Sequence, residues 1–272
     1  MLKHFARLSN GPVRILTTAV LVASILVVIW KLPYGVFTAV VGVFAALGLM
    51  EFFNMAGRAA VPFIRPAAVL WGALLALSPN FVWDEAILGS GLFALFIYLM
   101  TRREERVAAL APMAVITLGW LYVGWCLSFF NKIRLLPDGN MWLCYVLFTA
   151  KLCDMGAYVV GNRWGRTPLA RTVSPRKSVE GAAGGILAAL LFTVIFTLFV
   201  REAPFWHTFV LGLVIGGVAQ AGDLAESLLK REAGFKDSSG WVPGLGGVLD
   251  LVDSLIFTAP VAYVYLTWVI GV

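Results

Sequence analysis

Long apolar stretches, separated by short polar segments, run through the whole chain. A helix that crosses the roughly 30 Å hydrocarbon layer of a bilayer needs about 20 mostly apolar residues. Nine stretches approach that length, and they cover residues 15–30, 33–50, 66–83, 86–101, 107–130, 139–160, 182–200, 205–222 and 248–272. Only a tight turn at Asp84 and Glu85 separates the third stretch from the fourth. The pattern predicts an all-α integral membrane protein with about nine transmembrane helices.

The composition supports a membrane protein. Of the 272 residues, 60% are hydrophobic and 13% are charged, whereas a soluble domain is nearer half apolar and a quarter charged. The first stretch has the basic start of a signal peptide but ends in a poor cleavage site, so we interpret it as a helix. We expect one membrane domain, with about five spans in residues 1–130 and a catalytic region with cytoplasmic loops in residues 131–272.

The positions of the basic residues predict the orientation, because cytoplasmic loops collect Lys and Arg. With nine spans, 16 of the 21 basic residues lie on the side of the N-terminus, and one, Lys151, lies inside the sixth span. The other side holds four: Lys31, Lys132, Arg134 and Arg201. We therefore expect a bacterial-type inner membrane protein whose N-terminus and longest loops, 161–181 and 223–247, face the cytoplasm. The basic residues form no stripe with interleaved aromatics, so no nucleic-acid partner is expected.

Ionisable residues inside or beside apolar spans are candidates for a site, because they are costly there unless paired or bound. Lys151 and Asp154 lie three apart on the sixth helix, where an ion pair that serves packing is the alternative. Ser174, Lys177 and Glu180 lie just before a glycine-flanked helix start, whose free backbone N–H groups can bind an anion. For Lys177, the alternative is an ordinary anchor at the membrane interface.

A second polar region follows the eighth span. Four ionisable residues recur there at helical spacing: Asp223, Glu226, Lys230 and Arg231. A solvated amphipathic helix would show the same pattern. This one, however, leads through a glycine-rich turn to two aspartates on one face of the last helix, Asp250 and Asp253. Like charges repel when they are buried together, unless a cation joins them.

These residues indicate the class of chemistry. Cys126, Cys144 and Cys153 lie in apolar segments without metal-ligand spacing, and neither histidine is close to them in sequence. Oxygen ligands alone favour a hard ion such as Mg²⁺, and the neighbouring basic residues favour the phosphate groups that Mg²⁺ also binds. The sequence therefore predicts nucleotide phosphate chemistry at a membrane surface.

The segment from Ser227 to Asp253 resembles the signature of the phosphatidate cytidylyltransferase (CDP-diacylglycerol synthase) family. The matching residues are Ser227, Lys230, Arg231, Lys236, Asp237, Pro243, Gly246, Gly247, Asp250 and Asp253. Residues 154–158 and 174–181 also resemble family motifs, so that the likeness covers about the C-terminal half. Two positions depart from it: Leu245 stands where the family usually has His, and Leu251 where it usually has Arg. If either missing group normally contacts phosphate, this chain binds CTP differently, accepts another lipid phosphate or is inactive.

The resemblance implies transfer of the cytidylyl group of CTP to phosphatidic acid, which gives CDP-diacylglycerol and pyrophosphate among membrane lipids. It further implies one or two Mg²⁺ ions, with a homodimer as one expected assembly. The implied catalytic residues are Asp223, Asp250, Lys230 and Arg231, and the implied metal ligands are Asp223, Asp250 and Asp253. The implied substrate-binding residues are Asp154, Ser174, Lys177, Glu180, Ser227, Lys236, Asp237, Gly246 and Gly247.

Two other functions remain open at this stage. A CTP-dependent lipid-alcohol kinase would use the same nucleotide and the same membrane setting but would transfer the γ-phosphoryl group. A transporter of an anionic solute could place Lys151 and Asp154 on its path. Transporters often contain inverted repeats, and the two halves of this sequence show none by inspection.

Overall fold

A computed structural model describes residues 2–57, 64–101, 109–200, 204–235, 238–242 and 246–272, with side chains from residue 16 onward. The described residues form ten α-helices, two π-helical segments and one pair of short strands. The α-helices are α1 (Leu2–Lys31), α2 (Tyr34–Ala56), α3 (Arg65–Ala76), α4 (Phe81–Thr101), α5 (Leu110–Gly119), α6 (Cys126–Arg134), α7 (Gly139–Trp164), α8 (Val179–Phe199), α9 (Phe205–Glu232) and α10 (Val248–Tyr265). The strands are β1 (Pro168–Ala170) and β2 (Ser174–Ser178), and the π-helical segments are Trp120–Trp125 and Leu266–Ile270.

Seven of the described helices are long and apolar enough to span a bilayer. They are α2, α4, α7, α8, α9, the continuous helix formed by α5, the first π-helical segment and α6, and α10 with the second π-helical segment. The described apolar part of α1, Leu16–Lys31, and α3 are shorter. A helical integral membrane protein is thus confirmed, while the predicted number of nine full spans is not.

The third predicted span, 66–83, is too long. Helix α3 has only 12 residues, which corresponds to about 18 Å. Pro79 accounts for the stop, because the residue before a proline is pushed out of the α-helical conformation. Asn80 then begins α4 by accepting a hydrogen bond from the backbone N–H of Trp83 at 3.2 Å. The predicted turn at Asp84 is therefore wrong, since Asp84 lies buried in the first turn of α4.

The loop predicted at 161–181 is a short β-hairpin, which the all-α prediction lacked. Its two strands are antiparallel, with Pro168 opposite Ser178 and Ala170 opposite Ser174. The side chain of Ser178 then begins α8 by accepting a hydrogen bond from the backbone N–H of Gly181 at 3.1 Å. The loop predicted at 223–247 is also shorter, because α9 continues as a helix to Glu232.

Small residues allow the helices of the C-terminal half to approach closely. A Cβ atom on Gly156 in α7 would lie 2.5 Å from the Cβ atom of Ala188 in α8. A Cβ atom on Gly222 in α9 would lie 2.6 Å from the backbone oxygen of Asp253 in α10. Real Cβ atoms do not come this close, so only glycine fits at either position. The second approach brings α9 and α10 together at the predicted acidic residues.

Candidate active site

Three carboxylates meet where α9 and α10 touch. Asp223 and Glu226 lie three residues apart on one face of α9, and Asp253 lies on α10 beside Gly222. One oxygen atom from each of the three carboxylates lies within 4.8 Å of the others. We call Asp223, Glu226 and Asp253 the acidic cluster. Its close spacing is costly without a neutralising partner, because buried like charges repel.

Two lysines contact the acidic cluster from different elements. Lys177 at the end of the hairpin places its Nζ atom 2.6 Å from Oδ2 of Asp223. Lys230, one turn beyond Glu226 on α9, forms ion pairs with Glu226 and with Oδ1 of Asp250, the latter at 2.5 Å. Both lysines were predicted from the sequence as site residues, and the structure places both of them there.

Glu226 is the most deeply buried member of the cluster. Its side chain is fully buried, and neither of its oxygen atoms accepts a well-aligned hydrogen bond from the described residues. Its ion pair with Lys230 is shared, because the same ammonium group also pairs with Asp250. The sequence pattern included Glu226 in the polar face of α9 but did not select it as a ligand.

Helix α7 connects to the acidic cluster through a small polar network. The Nζ atom of Lys151 donates hydrogen bonds to Oδ2 of Asp154 at 3.2 Å and to Oγ of Ser254 at 2.8 Å. It also lies 3.8 Å from Oδ1 of Asp253. The Ser254 hydroxyl donates in turn to Asp154 at 2.8 Å. The Lys151–Asp154 pair is therefore part of the site and not an isolated packing contact.

Asp250 holds the start of α10 in place. Its Oδ2 atom accepts hydrogen bonds from the backbone N–H of Gly247 at 2.8 Å and from the backbone N–H of Ser238 at 3.1 Å, and it lies 3.0 Å from the hydroxyl oxygen of Ser238. Its Oδ1 atom accepts from Lys230. Both oxygen atoms are thus engaged with protein groups in this arrangement. The metal role assigned to Asp250 from the sequence stays a prediction.

Glu51 of α2, which was not predicted from the sequence, contacts the segment that carries Asp250. It is 1% exposed, and its carboxylate accepts hydrogen bonds from the start of α10 and from the segment before it. A signal was present, because a single carboxylate directly after an apolar span, with no basic residue near it in sequence, needs a partner from elsewhere. Nothing in the sequence indicated which segment would supply that partner.

The remaining predicted residues lie farther from the cluster or outside the described part of the chain. Glu180 accepts hydrogen bonds from the backbone N–H groups of Arg166 and Thr167 and so fixes the beginning of the hairpin. Arg231 is exposed and donates to the backbone oxygen of Phe235. Ser174 and Ser227 are half-buried, and within the described part of the chain no hydrogen bond or ion pair joins their side chains to the cluster. The described residues do not include Lys236, Asp237 and Leu245. Leu251 packs against the apolar core.

The backbone groups predicted to bind phosphate are partly in use. Gly246 has a positive φ of 98°, which favours glycine. The N–H of Gly247 donates to Asp250 at 2.8 Å. At the start of α8, the N–H of Val179 donates to the backbone oxygen of Thr167 at 2.9 Å, and that of Gly181 donates to Ser178. The anion-binding roles predicted for these two helix starts stay predictions.

The donor atoms of the acidic cluster suit a hard cation. All three groups offer carboxylate oxygens, which are the ligands that Mg²⁺ prefers. The wider site contains five carboxylates, Asp154, Asp223, Glu226, Asp250 and Asp253, and three lysines, Lys151, Lys177 and Lys230. With all of these groups ionised, the site has a surplus of two negative charges. A divalent cation would neutralise that surplus.

Comparison with known proteins extends the likeness over almost the whole chain. A family model described as the cytidylyltransferase family matches residues 12–269. This chain belongs to the cytidylyltransferase family. The match begins just before the first predicted span, so the N-terminal half shares more with the cytidylyltransferase family than its hydrophobicity. The resemblance noted in the C-terminal motifs is confirmed.

Individual relatives agree with this family assignment. A phosphatidate cytidylyltransferase of Bacillus subtilis (strain 168) is 34% identical over 257 residues, which cover 92% of this chain and 95% of that protein. One of Synechocystis sp. is 31% identical over 268 residues, covering 87% and 90%. A third, from Haemophilus influenzae, is 42% identical over 127 residues, covering 45% and 44%. The first two matches run along nearly the full length of both proteins.

Proposed function

We propose that this protein transfers the cytidylyl group of CTP to phosphatidic acid, giving CDP-diacylglycerol and pyrophosphate for phospholipid synthesis. The observation that carries the proposal is the acidic cluster, flanked by Lys177 and Lys230, in a membrane protein of the cytidylyltransferase family. The relatives described above are named for this reaction. A site of this kind can bring two phosphate-bearing molecules together at the edge of an apolar bundle.

The proposed reaction is a displacement at phosphorus. A phosphate oxygen of phosphatidic acid attacks the α-phosphorus of CTP and forms the new P–O bond. The bond between the α-phosphorus and the oxygen that bridges to the β-phosphorus breaks, and pyrophosphate leaves with that electron pair. A phosphomonoester has a second pKa near 6, so at neutral pH it is largely a dianion and requires little general-base help. The protein must therefore mainly align and neutralise two anions.

We assign these tasks to the residues that the geometry brings together. Asp223, Glu226 and Asp253 would hold Mg²⁺, which when bound neutralises charge on the phosphate oxygens. The Nζ atom of Lys177 is itself buried and is paired with Asp223, so we assign to this ammonium group a nucleotide phosphate that would bind beside Asp223. Lys230 is held between Glu226 and Asp250 and stabilises the negative charge there. Positioning and charge stabilisation supply most of the acceleration in phosphoryl-type transfer.

We further propose that the protein lies in an inner membrane with this site on the cytoplasmic side. The C-terminal ends of α7 and α9, the hairpin and the start of α10 meet at one end of the helices. By the charge distribution, this is the end that faces the compartment where Lys and Arg accumulate. CTP is available on that side. Substrate lipid would reach the site laterally from the same leaflet.

A product assay tests the proposed reaction. Purified protein in detergent, supplied with labelled CTP, phosphatidic acid and Mg²⁺, should yield lipid-extractable cytidine and pyrophosphate in equal amounts. Release of CDP together with a phosphorylated lipid alcohol would show a kinase instead. If the full-length wild-type protein gives no cytidine-containing lipid with phosphatidic acid, the proposal is wrong.

A further inference from the structure

Glu51 joins the N-terminal half of the chain to the candidate site. Its carboxylate accepts hydrogen bonds from the hydroxyl groups of Ser238 at 2.8 Å and Ser239 at 2.5 Å. It also accepts from the backbone N–H groups of Val248 at 2.9 Å and Leu249 at 2.7 Å. A carboxylate that accepts four hydrogen bonds at 1% exposure is held rigidly, because any rotation would leave buried polar groups without partners.

These contacts fix the first turn of α10. The first N–H groups of a helix have no partner inside the helix, and the positive end of the helix dipole attracts a negative charge. Glu51 supplies both from another helix, and Asp250 supplies a second carboxylate to the N–H of Gly247. The approach is close: a Cβ atom on Gly247 would lie 2.0 Å from Oγ of Ser238 and 2.5 and 2.7 Å from the two carboxylate oxygens of Glu51. Ser238 and Glu51 together therefore require glycine at this position.

A continuous chain of contacts leads from Glu51 to the acidic cluster. The Ser238 hydroxyl lies between Glu51 and Oδ2 of Asp250, at 2.8 and 3.0 Å. Asp250 is paired with Lys230, and Lys230 is paired with Glu226. Asp253 lies three residues after Asp250 on the same helix, which is nearly one turn. A shift of the first turn of α10 would thus move one ligand of the cluster directly and disturb a second through Lys230.

We propose that Glu51 is a positioning residue that anchors the start of α10 to α2 and thereby holds the acidic cluster in its cation-binding arrangement. The inference rests on the proposed function in assigning a cation to the cluster. Glu51 itself contacts neither the cluster nor any substrate in this proposal. It acts through Ser238, Asp250 and the register of α10.

The test compares Glu51→Gln with Asp84→Asn. Asp84 is a matched control, because it is also a buried carboxylate but pairs with Lys132 at the far end of α6. The amide of Gln has one accepting oxygen where the carboxylate has two, so it cannot satisfy all four donors. We expect Glu51→Gln to raise the Mg²⁺ concentration for half-maximal turnover by about tenfold or more. Substitutions of residues that hold metal ligands in place typically have effects of this size. Asp84→Asn should leave that concentration unchanged, even where it lowers the melting temperature.

Two measurements that do not depend on turnover test the role of Glu51 independently of the proposed reaction. Hydrogen exchange of a peptide covering residues 246–252 should be faster in Glu51→Gln than in the wild type and in Asp84→Asn. Thermal stabilisation by Mg²⁺ should require more Mg²⁺ in Glu51→Gln alone. Failure of the wild type to form the cytidine lipid would reject the reaction and leave both readouts valid. Wild-type exchange and wild-type Mg²⁺ dependence in Glu51→Gln would overturn the role of Glu51.

A milder variant covers the case in which Glu51→Gln does not fold. Ser239→Ala removes one donor to Glu51 and leaves the carboxylate charge in place. It should shift the Mg²⁺ dependence in the same direction but by a smaller factor. Where Glu51→Gln does fold, the Ser239→Ala change should have a smaller effect in the double variant Glu51→Gln/Ser239→Ala than it has alone, because Glu51 and Ser239 share one contact. Full additivity, or no shift from Ser239→Ala, would contradict the proposal.

Discussion

Two of the three lysines around the acidic cluster are each shared between two carboxylates. Lys230 pairs with Glu226 and Asp250, and Lys151 hydrogen-bonds to Asp154 and lies 3.8 Å from Asp253. Sharing leaves each carboxylate only partly neutralised, which is costly for buried charges. The same arrangement is favourable once a cation and its phosphate ligands are present. The residues of the site thus suit ligand binding better than they suit stability.

Asp223→Asn separates these two roles. The side chains of Asp223 and Lys177 are 32% and 25% exposed, and a partly exposed ion pair contributes at most about 1 kcal/mol to stability. As a ligand of the Mg²⁺ that would neutralise the reacting phosphates, Asp223 contributes more to the rate, so turnover should fall by about 100-fold or more. Turnover as a function of Mg²⁺ concentration and melting temperature in detergent should be measured on the same samples. Near-normal turnover with a lowered melting temperature would mean that Asp223 only pairs with Lys177.

The contact between α9 and α10 is the element on which the cluster depends. Gly222 allows it, because a Cβ atom there would lie 2.6 Å from the backbone oxygen of Asp253 and 3.4 Å from Cα of Ser254. Backbone atoms cannot move aside as a flexible side chain can. Both helices would therefore have to separate, and Asp223 would move away from Asp253.

Gly222→Ala should consequently lower both stability and turnover. Overpacking of this kind typically costs about 1–3 kcal/mol. Gly217→Ala on the same helix is the matched control, since no atom lies within 4 Å of its added Cβ atom. Alanine there should be neutral or slightly stabilising, given its higher helix propensity. Melting temperature and turnover of the two variants should differ clearly, and equal values in both assays would show that the close approach at Gly222 is unimportant.

A second buried ion pair ties α4 to α6. Lys132 Nζ lies 3.0 Å from Oδ2 of Asp84, donates to Ser128 at 2.6 Å and lies 4.7 Å from the ring centre of Phe129. The side chains of Lys132 and Asp84 are 1% and 6% exposed. This pair is at the end of α6, where α7 begins, whereas Asp154 lies about 22 Å farther along α7. It stabilises the bundle away from the site.

Lys132→Met should destabilise the protein without changing its chemistry. Removing one partner of a buried pair leaves the other charge without compensation, which costs about 3–5 kcal/mol. The double variant Asp84→Asn/Lys132→Met should recover part of that loss, because it removes both charges. Thermal unfolding measures the stability, and the Mg²⁺ dependence of turnover should match the wild type in both variants. A double variant less stable than Lys132→Met would contradict this account of the pair.

For the whole molecule, the proposed orientation can be tested by labelling single introduced cysteines. Arg171 in the hairpin and Leu135 after α6 are both exposed, and they lie on opposite sides in the predicted topology. Of the native cysteines, Cys126 and Cys153 are buried and Cys144 is half-buried. An impermeant thiol reagent added outside intact cells should label Leu135→Cys but not Arg171→Cys. The reverse pattern would place the site outside the cell and reject the use of CTP.

Much of this architecture follows from local sequence patterns. Apolar stretches located the long helices because lipid leaves no other partner for backbone N–H and C=O groups. The third span was misjudged because the run contains no charged residue on either side of Pro79, whose effect on the backbone is conformational. The hairpin was missed because it is short and polar, and its strands are stabilised by each other and by Glu180. The candidate residues Asp223, Lys230 and Asp253 were selected because charged residues beside apolar spans are rare.

The sequence by itself determined the membrane class, because apolar spans are set by local composition. It indicated the family through the resemblance of its C-terminal motifs, and it contained most of the charged residues that the structure brings together. Only the tertiary structure decided which charges meet. It placed Glu226 in the acidic cluster, directed both oxygens of Asp250 to protein groups and brought Glu51 of α2 to the start of α10. Such contacts join segments almost 200 residues apart. They depend on helix packing. A glycine such as Gly222 allows two helices to approach closely, but the sequence does not show which helix will pack against it.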